Sequence, residues 1–83
     1  MKFNEWKTLT LTKLIRLSRK YQDDKKKYQT LDMLITKLQH LKLRDLGTFL
    51  AILHQASQDI QEIDNIIPIE EEVKQMISSE LEE

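Results

Sequence analysis

Apolar side chains recur at Leu46, Phe49, Leu53, Ala56, Ile60, Ile63 and Ile67, at alternating intervals of three and four residues. This spacing is a heptad seam, and it predicts one central helix over residues 45 to 66, about 33 Å long at about 1.5 Å per residue. Such a seam cannot stand alone. Burying each large residue contributes about 1.5 to 3 kcal/mol, while fixing each backbone residue costs about 1 to 2 kcal/mol. Helices of this chain, of a second copy or of another protein have to cover it.

The first half carries two further stripes. From Asn4, a candidate N-cap, to about Lys20, Leu11, Leu14, Ile15, Leu17, Ser18 and Tyr21 share one helical face, and Lys13, Arg16, Arg19 and Lys20 share the other. Thr8 to Thr12 also alternates with a period of two, which leaves open an extended start that adds a strand to a partner's sheet. The polar run Gln22 to Lys27 predicts a turn, although one long helix through it also keeps heptad spacing. Leu31, Leu34, Ile35, Leu38 and Leu41 then predict a helix over about 30–42, with Thr30 as a capping option, folded back along the seam.

Leu43 falls out of phase, so a tight connection is expected near 42–45, with Asp45 capping the central helix. Gly47 in that helix's first turn permits close approach of a neighbouring backbone. Pro68 ends the central helix and suits the first position of a last one, whose opening turn holds Glu70, Glu71 and Glu72 and whose thin stripe is Ile69, Val73, Met76, Ile77 and Leu81. Residues 78–83 are expected to fray.

With 83 residues, one glycine and one proline, the chain has room for one domain and almost no turn punctuation. The fold class is therefore all-α: a small helical bundle of three or four helices, residues 1–83, with a coiled-coil-like central helix. The absence of cysteine removes disulfides and thiolate chemistry, and it fits a reducing, cytoplasmic setting. Leu9 to Leu17 is broken by Thr10, Thr12, Lys13 and Arg16, so neither secretion nor membrane spanning is indicated.

Charge is strongly polarised along the chain. Residues 1–44 hold twelve Lys or Arg against four acids, plus 8, and residues 45–83 hold one Lys against ten acids, minus 9. Mutual attraction of the two halves, within one chain or across a dimer, is the plainer expectation. The sharper one is a basic partner-binding face.

No catalytic motif is present: one glycine builds no phosphate loop, and His40 and His54 lack neighbours at metal-ligand spacing. No cofactor or metal is implied. Leu46-Gly47, Leu50 and Ser57 to Ile60 resemble the opening of a helix-turn-helix domain, but the element that would enter the groove carries Glu70 to Glu72. Nucleic-acid binding is left to the backbone-directed cations Lys13, Arg16, Arg19, Lys20, Lys25, Lys26 and Lys27. The first helix also has the pattern of a membrane-surface helix, with Trp6 near its start. Thr48, Ala51, Gln55 and Gln58, opposite the seam, carry no charge in a chain one-third charged. Coverage by another element is expected there; an open face would be a protein contact.

The functional expectation is a protein-interaction module, an adaptor, assembly factor or inhibitor, that also associates with itself. Its contact residues are Thr48, Gln55 and Gln58, with Trp6 either an exposed anchor or a plug closing one end of the core. Arg16, Arg19 and Lys20 serve as steering charges. A nucleic-acid accessory protein is the alternative.

Overall fold

The computed structural model describes residues 2–81, with side chains through residue 79. It holds four α-helices, α1 (Phe3–Lys20), α2 (Lys25–Gln39), α3 (Leu46–Ser57) and α4 (Glu70–Leu81), with 3-10 helices at Leu43–Asp45 and Gln61–Asn65. No strand occurs among the described residues, so the chain is all-α.

The alternating Thr8 to Thr12 segment is helical. The hydroxyls of Thr8 and Thr12 each donate to the carbonyl four residues back, at 3.0 Å, which removes the polar cost of threonine inside a helix. The helix begins one residue before Asn4, with Lys2 at the cap position and no side-chain cap. Its inward stripe starts earlier than Leu11, at Phe3 and Trp6, and continues through Thr10 and Leu14.

The break after α1 is real. Asp24 accepts from the Lys27 backbone N–H at 3.2 Å, so α2 starts at Lys25 instead of Thr30 and ends at Gln39 instead of residue 42. Thr30 lies inside the helix and returns its proton to the Lys26 carbonyl. The short turn lays α2 along α1, its closest neighbour, while α3 touches α2 and α4 touches α1.

The expected continuous central helix is not formed. Helix α3 stops at Ser57, and Ile60 is extended at φ −128°, ψ 93°. Ser57 Oγ donates to the His54 carbonyl at 2.6 Å, a local bond that competes with the helical ladder. Beyond Ile60 the chain winds with three residues per turn, Ile63 N–H bonding to Ile60 O and Ile66 N–H to Ile63 O. Inward positions therefore step by three, and Ile66, at 6% exposure, takes the core place that heptad phase gave to Ile67. The seam is nonetheless buried within one chain: Leu46, Phe49, Leu53, Ala56, Ile60 and Ile63 join one core with Leu14 of α1, Leu31, Leu34 and Leu38 of α2, and Met76 of α4. No second copy is needed to cover it.

Two turn residues act differently from expectation. Pro68 precedes α4 by two residues, and Asp45 makes no side-chain cap. A Cβ added at Gly47 would meet nothing within 4 Å, so no backbone crowds it. Among the described residues a single ion pair, Lys20 to Glu62, joins the basic and acidic halves; the Arg44–Asp45 and Lys74–Glu70 pairs are local. The opposite charges of the two halves are thus largely unspent inside the chain.

Candidate functional site

Helix α3 contains no Asp, Glu, Lys or Arg. Its outer residues Thr48, Ala51, His54 and Gln55, followed by Gln58, are all exposed. The expected coverage of this face does not occur, because α2 and the Gln61–Asn65 turn pack on the opposite side. A solvated helix face normally draws charge for hydration; this one has none.

A groove lies on each flank of the face. Between α2 and α3, adjoining cavities of about 300 and 370 Å³ share Ile52; Thr48 lines one and Gln55 the other, with Met33 and His40 on the facing wall. Between α3 and α4, a cavity of about 510 Å³ is lined by Leu46, Gly47, Leu50, Val73 and Ile77. Met33 and Ile77 are 40% and 43% exposed. The arrangement is a neutral ridge with an apolar trough on either side, a surface that loses little hydration when another helix or loop covers it.

Trp6 does not belong to this surface. Its ring is 4% exposed, stacked on Phe3 at 6.2 Å and edge-on to Phe49 at 6.3 Å. It closes the core where α1 meets α3, so its place as a contact residue is corrected: no free face of the indole is left for a partner. The same packing turns the apolar side of α1 inward, against the membrane-surface reading. No described helix is long and apolar enough to cross a membrane.

Lys13, Arg16, Arg19 and Lys20 are exposed on α1, and Lys25 and Lys26 on the first turn of α2. Lys13, Arg16 and Lys20 line one groove with Leu17 and Ile66. Lys27 is half-buried, its ammonium 4.8 Å from the centroid of the Tyr21 ring, with Lys20 at 5.4 Å from the same ring. Sequence spacing does not bring these two lysines together; the turn between the helices does.

A polar cluster that the sequence does not announce ties α1 to the Gln61–Asn65 turn. Lys20 Nζ lies 2.7 Å from Glu62 Oε2, and the Tyr21 hydroxyl donates to the same oxygen at 2.6 Å. The Lys20 bond first, then the Tyr21 bond, holds the Glu62 carboxyl at about 2, below its ordinary 4.5. Glu62 in turn raises both Lys20 and Tyr21. Forty-two positions separate Lys20 from Glu62, and no local pattern links them.

His40 and His54 are both exposed, and no group of three His, Cys, Asp or Glu side chains among the described residues is placed to hold a metal. Compared with protein-family models, curated proteins and solved structures, the chain matches none.

Proposed function

We propose that the chain is a non-enzymatic helical bundle that works by binding protein through the outer face of α3. The observation that carries this reading is the charge-free exposed ridge of Thr48, Ala51, Gln55 and Gln58, flanked by apolar troughs, in a chain one-third charged. Buried charge is what protein interfaces avoid at their centres, and this ridge has none to bury. The unpaired cations of α1 steer an acidic partner toward the molecule. Adaptor, assembly-factor and inhibitor roles all use such a surface, and a second copy is one of its possible occupants, since the heptad seam is already filled.

Affinity capture from the source cell with wild-type and Gln55→Arg baits tests the reading. The expected result is a protein recovered by wild type and lost, by about tenfold or more, with Gln55→Arg, while circular dichroism of the two baits coincides. Equal recovery removes the α3 face.

A second reading rests on exposed Lys13, Arg16, Arg19, Lys25 and Lys26, none of which has an ion-pair partner among the described residues. They supply a backbone-directed nucleic-acid surface. Binding to random duplex at low salt that collapses on salt titration supports it, and no binding at low salt eliminates it.

A further inference from the structure

We infer that the groove between α1 and the connection from Gln61 to Ile69 docks an acidic amphipathic helix of another protein, at a site separate from the α3 face. Two adjoining cavities of about 290 and 250 Å³ form it, joined through Lys13, Asn65 and Ile66. One end is apolar: Leu9 is 49% exposed and Ile69 62% exposed, so two of the five exposed large apolar side chains converge beside Pro68. The other end is basic, with Lys13, Arg16 and Lys20 rising beside Leu17 and Ile66.

The charges choose the occupant. Two carboxylates line the groove, Glu62 and Glu72. Glu62 is already engaged by Lys20 and Tyr21, which leaves Lys13 and Arg16 without an anion among the described residues. They lie three residues apart on α1, in the turns after Leu9, so acids on one side of a docked helix meet them while its apolar residues reach Leu9, Leu17 and Ile69. A basic helix is repelled by the same pair. An extended segment finds no sheet edge to pair with, whereas a trough between helical elements accepts a helix through apolar anchors at i, i+3 or i+4 and i+7. From Leu9 to Lys20 the wall is about 16 Å long at about 1.5 Å per residue, enough for about three turns of partner.

The test is a displayed library of helices about three to four turns long, with leucine fixed at three- and four-residue spacing and Glu, Lys, Gln or Ala elsewhere, panned against the full chain. The expected winners are net acidic, and they shift the amide resonances of Leu9, Lys13, Arg16 and Ile66. The double variant Lys13→Glu/Arg16→Glu, at two exposed positions that leave the core untouched, weakens them about tenfold or more and selects basic winners instead. Neutral or basic winners on the wild-type chain, an affinity that ignores the double variant, or no winners at all overturn the inference. Winners that map to α3 overturn it while leaving the α3 proposal standing. Shifts at the same residues on concentrating the chain alone assign the groove to a second copy and overturn the foreign helix.

Discussion

Replacing Trp6 with alanine separates a core indole from an interface anchor by stability alone. A tryptophan side chain buries about 150–250 Å², which at about 25 cal/mol/Å² is about 4–6 kcal/mol as an upper bound. Trp6 keeps only 4% of its surface exposed, and it contacts two rings, Phe3 and Phe49. Core Trp→Ala substitutions cost about 3–5 kcal/mol, and that is the expected loss. A domain of this length is stable by about 4–12 kcal/mol in total, so Trp6→Ala consumes a large share of it. The assay is urea and thermal unfolding followed by circular dichroism, because the variant loses the chain's single tryptophan. At about 4–8 °C per kcal/mol, the midpoint should fall by at least about 12 °C. A variant within about 1 kcal/mol of wild type, the usual size of a surface change, would refute the packing of α1 against α3 and restore Trp6 to the surface.

Two further outcomes follow from local features. Glu62→Gln should lower the melting temperature between pH 5 and 8, and the gap from wild type should close as pH falls from about 4.5 towards 2, because a carboxyl held at about 2 stabilises only above its unfolded value and loses that contribution on protonation; a gap unchanged across that window would show that the Lys20–Tyr21–Glu62 cluster does not form. Gly47→Ala should raise the urea midpoint by an amount equivalent to about 0.4–1 kcal/mol, since Gly47 is helical without positive φ and a Cβ there meets open space; a destabilised variant would mean that a backbone passes close to it after all.

Hydrophobic spacing recovered what burial controls and missed what local geometry controls. The heptad positions Leu46, Phe49, Leu53, Ala56, Ile60 and Ile63 are all buried, because a core selects apolar side chains whatever winds the backbone between them. The winding itself was not legible: a period near 3.5 is met equally by one helix and by a helix followed by three-residue turns, and the bond from Ser57 to the His54 carbonyl favours the second. Asp24 was readable as a cap from its place after a polar run, whereas Thr30 offered the same chemistry and lost to it. The neutral residues Thr48, Ala51, Gln55 and Gln58 were visible as an anomaly of composition, but their exposure was not, since an uncharged face suits a buried helix as well as a docking one. Glu62 was invisible because its partners are brought to it only by the tertiary fold.

The interruption at Ile60 also decides how the molecule comes apart. Because the 3-10 turn that follows leans on its own i to i+3 bonds, unwinding that starts at the C-terminus has no continuous ladder along which to run into α3. The joint acts as a firebreak: the segment from 61 onward opens as one cooperative unit, and the amides of α3 should outlast those of α4 in hydrogen exchange.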